Sequence, residues 1–401
     1  MSLDLALRLW RQGYDAIPAA RGWAPGRDAF VTRMLGRRAL VVRGEEGARL
    51  LYDTGLVGRR KAVPAALADL LFGRGAVHGL DGREHAERKA LRMRVLDPDR
   101  VDRLVSEAAV VLDRAVEEWR QRGEVVMFDE LVRAYGAAVL TWAGTGLSGP
   151  EADRTSHELA CIVDGFGGAG RAYPRAWLAR RRTDTLLRSV IDDARTGRTA
   201  PPERSPVRLL AESSLPLELA AVELGNVLRP TVAVAWLGTF AALALSENPS
   251  WAPRLASDGL AREAFAHEVR RFFPFVPALA ARLTGDYVGP GARLRRGDRV
   301  VLDVPGTNYD PRTFDRPELF APERFLGQMP GPFAFVPQGG GHPETGHRCP
   351  GERATIGLLT ETLRVLSGLE LTTRSDVRVD ARRIPTRPTD GLVVRVARSR
   401  S

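Results

Sequence analysis

The sequence predicts a mainly α-helical fold with small accessory β-sheets, organised as one domain over residues 1–401. Apolar residues recur at helical spacing through several long segments, whereas runs typical of strands are few and short. No repeat of fixed period and no long low-complexity linker divides the chain. With 44% hydrophobic and 27% charged residues, it has the composition of an ordinary globular protein with a large core.

Three segments have the period of amphipathic or buried helices. Apolar side chains form one stripe from Val101 to Trp119, and the pattern stops near Gly123. The segments MFDELVRAYGAAVLTWAG and ERATIGLLTETLRVL have the same helical character. We therefore expect a helix at each place.

The strand candidates are short. The segment ALVVRGEEGARLLYD has two apolar runs around Glu45, Glu46 and Gly47, which predicts a hairpin, and DRVVLDV and GLVVRVA are further strand candidates. The segment RTGRTAPPERSP is the best candidate for a loop or lid, and it is too short to separate domains.

One stretch, LELAAVELGNVLRPTVAVAWLGTFAALALSENPS, predicts a long central helix. It carries no charge between Arg229 and Glu247, nearly the span of a membrane helix, yet Pro230 interrupts it and Glu223 belongs to the same pattern. A helix that is apolar nearly all round in such a chain is expected to be buried. Since Pro230 frees the carbonyl of Asn226, a bend is expected there.

Arg229 is costly to bury in this helix without a partner. Its neighbours Leu228, Pro230 and Thr231 offer no carboxylate. Two interpretations stay open: a distant Asp or Glu pairs with Arg229 in the folded protein, or an anionic ligand does.

Charge and cysteine content narrow the class of protein. The net charge of +10 arises from 59 basic and 49 acidic residues spread along the chain without a zinc-finger spacing or basic module, which argues against nucleic-acid binding. The two cysteines cannot form a disulfide framework, so a cytoplasmic protein is expected, with Cys161 a small buried hydrophobe. The N-terminus carries Asp4 and lacks a basic region, unlike a signal peptide.

The segment GGGHPETGHRCPGE surrounds Cys349 with glycines just before a predicted helix. A zinc site would use His342, His347 and Cys349 but lacks a second cysteine nearby. A phosphate-binding loop would need Lys-Ser/Thr where His347-Arg348 follow. A catalytic cysteine nucleophile stays open, and a thiolate metal ligand suits the start of a helix.

The longer segment FVPQGGGHPETGHRCPGE resembles the cysteine-ligand loop of the haem-thiolate cytochromes, the cytochrome P450 superfamily. This resemblance implies a haem b cofactor whose iron takes the Cys349 thiolate as axial ligand, and a long helix over the haem. The segment EVRR supplies Glu268 and Arg271, and FAPERF supplies Arg324. In the superfamily these three residues form a buried structural ion-pair network.

Two departures from the usual superfamily pattern point to one subgroup. His347 stands where an arginine is usual, and Arg229-Pro230 replaces the acid–alcohol pair that delivers protons to dioxygen. These departures are similar to those of the bacterial fatty-acid peroxygenases, some of which also decarboxylate. Five further segments of this chain resemble the same subgroup: LFGRGAVHGLDGREHAERKAL, IVDGFGGAG, NVLRP, RRFFPFVPALAAR and GTNYDP.

The resemblance implies the reaction and its partners. Hydrogen peroxide would oxidise a long-chain fatty acid near its carboxyl end, by α/β-hydroxylation and decarboxylation to a terminal alkene, with no redox partner protein required. Arg229 would bind the substrate carboxylate, which would then serve as the acid–base group. The catalytic positions would be Arg229, Pro230 and His78, with histidine at position 78 favouring some alkene.

Further site residues follow from the same resemblance. Phe72, His78 and Phe275 would line the distal side of the haem, while His85 and Lys89 would face a propionate, with Arg59, Arg60 and His347 as further candidates. Other interpretations stay open: core packing for the two phenylalanines, an exposed position for His85, and a pocket water bonded to His78.

Two other functions also remain. One is a conventional monooxygenase that takes electrons from a redox partner. The other is a non-catalytic haem or fatty-acid binding protein.

Overall fold

The computed structural model describes residues 3–22, 26–167, 172–289 and 292–397. Within these ranges the fold is mainly helical with three small sheets, as predicted. The helices are α1 (Leu5–Gln12), α2 (Ala16–Arg21), α3 (Gly44–Tyr52), α4 (Ala65–Leu71), α5 (Gly82–Val95), α6 (Pro98–Arg122), α7 (Met127–Ala143), α8 (Gly149–Asp164), α9 (Ala172–Arg195), α10 (Pro206–Ala211), α11 (Leu217–Glu247), α12 (Ala252–Ser257), α13 (Gly259–Phe272), α14 (Val304–Asn308) and α15 (Glu352–Ser367). The strands are β1 (Ala29–Met34), β2 (Arg37–Val42), β3 (Val57–Gly58), β4 (Glu124–Val126), β5 (Ala278–Leu283), β6 (Tyr287–Gly289), β7 (Ala292–Leu294), β8 (Arg299–Asp303), β9 (Leu371–Thr373) and β10 (Val393–Val396).

The three helices predicted from periodicity are present as α6, α7 and α15. Helix α6 begins where the Asp97 carboxylate accepts a hydrogen bond from the backbone N–H of Arg100, with Pro98 in the first turn. It ends at Gly123, whose φ of 72° is the left-handed conformation that glycine adopts most easily. The loop predicted around residues 196–205 joins α9 to α10.

The predicted hairpin in ALVVRGEEGARLLYD is wrong, because only its first half is a strand, β2, and its second half is helix α3. Gly44, Gly47, Ala48 and Leu51 are buried at positions i, i+3, i+4 and i+7 of one helical face. Glycine typically signals a turn, so the two glycines concealed this helical pattern in the sequence. Strand β2 pairs with the preceding strand β1 instead.

The five-stranded sheet has the order β1-β2-β8-β5-β3. Strand β2 runs antiparallel to β1 and parallel to β8, while β5 runs antiparallel to both β8 and β3. A second sheet has the order β4-β10-β9, and β6 pairs with β7. The predicted strands DRVVLDV and GLVVRVA are β8 and β10.

Helix α11 lies at the centre of the fold. It is buried throughout from Ala220 to Leu245 except at Pro230, and it remains helical through that proline. Among the described residues it is the one helix long and apolar enough to cross a membrane, and 94% of its apolar window is buried inside the fold. Its neighbours in the main core include α7, α9 and α15. The expected buried central helix is therefore present.

Glu268, Arg271 and Arg324 form the ion-pair network that the resemblance implied. Arg271 donates two hydrogen bonds of 2.7 Å to the carboxylate of Glu268, and both side chains are fully buried. Nε of Arg324 lies 3.2 Å from the same carboxylate. Arg271 also donates to three backbone carbonyls, at Asn308, Pro317 and Leu319. The network joins α13 to the segment that follows α14.

The side chain of Cys161 is only half-buried, so the expected burial is incomplete. The last three residues of IVDGFGGAG, 168–170, lie outside the described residues.

Candidate active site

The loop that carries Cys349 folds back on itself before α15. The backbone N–H of Cys349 donates to the carbonyl of Gln338 at 3.0 Å. Gly339 has a φ of +96°, and a Cβ there would lie 2.8 Å from Oη of Tyr52, so a side chain at this position would be strained and crowded. The thiol is thus presented three residues before the first residue of α15. Burial raises the pKa of Cys349, while the backbone N–H of Gly351 opposes that rise.

A mostly buried ion cluster next to this loop was not predicted from the sequence. Glu352, the first residue of α15, pairs with Arg270 of α13 and with Arg348, whose Nε donates at 2.6 Å. Arg270 also donates to the Gln338 side chain at 3.1 Å. Burial opposes ionisation of Glu352, but the two arginines outweigh it and lower its pKa to about 2. The i, i+4 spacing of Arg348 and Glu352 was a readable signal of this pair.

The zinc interpretation finds no support in the described part of the chain. No group of three or more His, Cys, Asp or Glu side chains there could hold a metal ion. A metal at Cys349 would therefore depend on a cofactor for its remaining ligands, as haem iron does.

Basic side chains surround the Cys349 loop. The rings of His85 and His347 are 4.0 Å apart between centroids, and Nζ of Lys89 donates to the carbonyl of Arg348 at 2.7 Å. Burial and neighbouring cations lower the pKa of His347 to about 3, and burial lowers that of Lys89 to about 8. Such a cluster favours an anionic group, so it fits the two carboxylates of a haem. His85 is buried, which rules out the exposed alternative.

Arg60 does not join this cluster. Its guanidinium forms a 2.7 Å ion pair with Glu84, and both side chains are more than half exposed. Arg59 points inward instead: it donates to the carbonyl of Ala280 at 2.8 Å and lies over the Tyr52 ring. The two residues lie in a turn in which the N–H of Ala62 donates to the carbonyl of Arg59, and this turn sends their side chains in different directions. The surface ion pair of Arg60 disagrees with the expectation that it faces a propionate, and Arg59 stays a candidate.

Arg229 is 3% exposed and has no carboxylate within 4.0 Å among the described residues. Its Nη2 donates to Oδ1 of Asn226 at 2.8 Å, while Nη1 is buried without a hydrogen-bond partner in that part of the chain. The two nearby acids are otherwise engaged, Asp184 with Arg180 and Glu223 with Arg92 and Arg88. Burial, with Arg180 and Arg92, lowers the pKa of Arg229 well below its usual value. The interpretation that a distant acid pairs with Arg229 therefore fails for the described residues.

Pro230 marks an opening beside Arg229. It is the exposed residue in the otherwise buried span of α11, although that helix lies at the centre of the fold. Exposure in such a place indicates an internal space next to the helix. The guanidinium with a free nitrogen and the opening are thus on consecutive residues.

Phe72 and His78 join Arg229 in space. Their rings stack with centroids 4.0 Å apart, and Cζ of Arg229 lies 5.8 Å from the Phe72 ring centroid. The Asn226 side chain links the groups, since its Nδ2 donates to the Phe72 carbonyl at 2.8 Å. Asn226 and Arg92, which lies 3.4 Å from Nε2 of His78, were not among the predicted residues. The i, i+3 spacing of Asn226 and Arg229 could have indicated the first.

Phe275 lies further along the central helix. Its ring meets Trp236 edge-on at 6.2 Å, and Trp236 follows Arg229 by two helical turns, about 10 Å along α11. None of the ring–ring contacts between described residues joins Phe275 to Phe72 or His78. Its packing against the main core agrees with the core interpretation.

Comparison with known proteins extends these observations. A sequence model described as Cytochrome P450 matches residues 262–377. Cytochrome P450 138 of Mycobacterium tuberculosis is 25% identical over 358 residues, which cover 80% of this chain and 78% of that protein.

Two groups of solved structures share the fold across nearly the whole chain. Cytochrome P450SP alpha in complex with (R)-ibuprofen is 35% identical, with a TM-score of 0.92 and coverage of 98% of each chain. A variant of cytochrome P450 OleT in complex with arachidonic acid is 30% identical, with a TM-score of 0.93 and coverage of 100% of this chain and 99% of that one. The sequence identity of 35% to P450SP alpha, over 98% of each chain, indicates a relationship in sequence as well as in fold. Together with the cysteine loop and the central helix, it shows that this chain belongs to the haem-thiolate cytochrome P450 superfamily and, within it, to the subgroup of P450SP alpha and OleT.

Proposed function

We propose that the protein uses hydrogen peroxide to oxidise long-chain fatty acids near the carboxyl end, giving α- and β-hydroxy acids together with some terminal alkene. One observation carries this proposal: Arg229 is buried, lacks a carboxylate partner among the described residues and leaves Nη1 without a hydrogen-bond partner there, one residue before the exposed Pro230. Both compounds in the complexes of the solved relatives, arachidonic acid and (R)-ibuprofen, are carboxylic acids.

The geometry around Arg229 suits a carboxylate. Asn226 is held by the Phe72 carbonyl and in turn accepts one N–H of the guanidinium, so the planar group is oriented before any ligand binds. Both hydrogens of Nη1 and the second hydrogen of Nη2 remain for two carboxylate oxygens. A chain anchored in this way presents its α and β carbons first, because they are the carbons nearest the anchored group.

The side chains near Arg229 are poorly suited to donate or accept a proton, which favours the substrate carboxylate as the acid–base group. Pro230 has no proton to donate, and a buried arginine is a poor base. Burial and the cations Arg92 and Arg229 lower the pKa of His78 well below its usual value, which disfavours a charged ring that could act as the acid. A carboxylate on Arg229 can accept a proton from peroxide and return it to the departing oxygen.

The cofactor would be held by residues that fit it. Cys349 would hold the iron through its thiolate, and His85, Lys89 and His347 would face the propionates. When bound, haem with a thiolate ligand supplies the cleavage of the O–O bond and the oxidising power.

Hydrogen peroxide accounts for both products without an electron-transfer partner. In hydroxylation, a C–H group and H₂O₂ give C–OH and water. In decarboxylation, the acid and H₂O₂ give a terminal alkene, carbon dioxide and two waters. We accordingly assign no redox partner to the protein and place it in the cytoplasm, where its two cysteines stay reduced.

The test is to mix the haem-loaded protein with palmitic acid and peroxide, without any reductase, and to analyse products by gas chromatography. We expect hydroxy acids and alkene from the acid, and little product from its methyl ester. A short carboxylic acid added as a decoy should allow oxidation of a non-acid such as styrene, because it restores the missing acid–base group.

Three results would contradict the proposal. Turnover only with a reductant and a redox partner would favour a monooxygenase. Spectral binding of the acid without turnover under either condition would favour a binding protein. Equal turnover of acid and ester without a decoy would remove the carboxylate from the mechanism.

A further inference from the structure

The two ring nitrogens of His78 have different surroundings. Nε2 lies 3.4 Å from Nη1 of Arg92. Nδ1 is buried and has no hydrogen-bond partner in the part of the chain that the structure describes. The imidazole therefore has a neighbour on one nitrogen and no hydrogen-bond partner among the described residues on the other.

The chemistry of arginine decides which nitrogen carries the proton. A guanidinium only donates hydrogen bonds, so Nε2 facing Arg92 must be the acceptor. A neutral imidazole has one acceptor and one donor, which leaves the proton on Nδ1. A buried N–H without a hydrogen-bond partner is destabilising, so an oxygen atom of a bound ligand would be favoured at this position.

Arg92 is itself held firmly. Its Nη2 donates to Oε2 of Glu223 at 2.5 Å, and both side chains are about 5% exposed or less. Glu223 lies on α11, six residues before Arg229, and its carboxylate also accepts a hydrogen bond from Arg88 at 3.0 Å. Arg92 of helix α5 is thus held by a carboxylate of the central helix, with one guanidinium nitrogen next to His78.

We infer that Arg92 is a positioning residue that fixes His78 as the Nδ1–H tautomer, so that the site is offered a hydrogen-bond donor and not an acceptor. The consequence for products rests on the proposed function: a donor near the oxidised carbon would slow transfer of oxygen to it and favour loss of carbon dioxide. The tautomer itself does not depend on that function.

The tautomer can be measured by nitrogen NMR. The protein is loaded with haem, labelled with ¹⁵N-histidine and studied in the diamagnetic ferrous carbon-monoxide form without fatty acid or peroxide. The chain has six histidines, and the His78 signals are those missing from His78→Gln. We expect a protonated Nδ1 and an unprotonated Nε2 in the natural protein.

Three variants distinguish control of the His78 tautomer by Arg92 from a purely structural role of Arg92. Arg92→Leu should populate the Nε2–H tautomer, and Arg92→Lys, which keeps a pure donor, should restore the original one at least in part. Arg88→Leu is the matched control because it removes a bond to the same Glu223 without touching His78, so it should leave the tautomer unchanged. The alkene fraction from palmitic acid should fall in Arg92→Leu and not in Arg88→Leu.

The outcomes decide the inference. A protonated Nε2 in the natural protein would overturn it, as would an unchanged tautomer in Arg92→Leu or an equal shift in Arg88→Leu. If Arg92→Leu fails to bind haem, the natural protein and Arg92→Lys still decide. A correct tautomer in a protein that oxidises no fatty acid would leave the inference standing and refute only the proposed function.

Discussion

Replacing Arg229 with leucine should weaken fatty-acid binding greatly while leaving the ligand-free protein as stable as before, or more so. Losing one partner of a buried charge pair costs about 2 to 5 kcal/mol. At 1.4 kcal/mol per tenfold change, this weakens binding by about 30-fold to about 4,000-fold. Because Arg229 is 3% exposed, water screens the pair poorly, and we expect the upper part of this range.

The stability effect has the opposite sign because no carboxylate offsets the charge in the ligand-free protein. Removal of a desolvated cation relieves a penalty of several kcal/mol, whereas the lost hydrogen bond to Asn226 costs about 1 to 3 kcal/mol. A fatty acid at 100 times its Kd should stabilise the natural protein by about 2.7 kcal/mol. The same concentration should stabilise Arg229→Leu by less than about 0.5 kcal/mol once its Kd has risen more than 100-fold.

The assay is thermal unfolding with and without palmitic acid, alongside titration of the haem absorption band. Arg180→Leu is the matched control: Arg180 is equally buried, but it pairs with Asp184 at 2.8 Å. This control should lower the free energy of unfolding and keep most of the stabilisation by the acid. The reasoning is refuted if Arg229→Leu loses stability without ligand, binds the acid normally, or behaves like Arg180→Leu.

Three further predictions concern the cysteine, the histidine and the structural network. Cys349→Ser should abolish the red-shifted Soret band of the ferrous carbon-monoxide complex, and survival of that band would place the thiolate ligand elsewhere. His78→Gln should lower the alkene fraction relative to hydroxy acids in gas chromatography of products from one saturated acid, and an unchanged ratio would exclude His78 from the partitioning step. Glu268→Ala should cost about 3 to 5 kcal/mol in urea unfolding, because it leaves the fully buried Arg271 without its acid. A loss below about 1 kcal/mol would contradict that network's structural role.

Features that depend on neighbours in sequence could be predicted well. The helical period of α6, α7 and α15 and the apolar length of α11 are repeated over many residues, so single exceptions do not conceal them. Helix α3 was missed because two glycines occupy its buried face, and a nine-residue helix has too few other positions to compensate.

Some residues of the candidate site could likewise be predicted from the sequence, whereas their contacts could not. Cys349 stands out through its glycine-rich loop, and Arg229 through the absence of any acid in its own helical segment. The sequence could not indicate which of many acids and arginines would meet. Arg59 and Arg60 are adjacent, yet one faces inward and the other pairs with Glu84 at the surface.

The mainly helical fold, the cysteine loop and the arginine of the central helix could be predicted from the amino-acid sequence, because each depends on local spacing or on composition. That Asn226 orients Arg229 and that Arg92 faces His78 became visible only in the folded chain. The same structure pairs Glu223 and Asp184 with other arginines, so Arg229 has no carboxylate partner among the described residues. The physical reason is that ion pairs form between groups brought together from separate helices, and their partners depend on distance and burial in space.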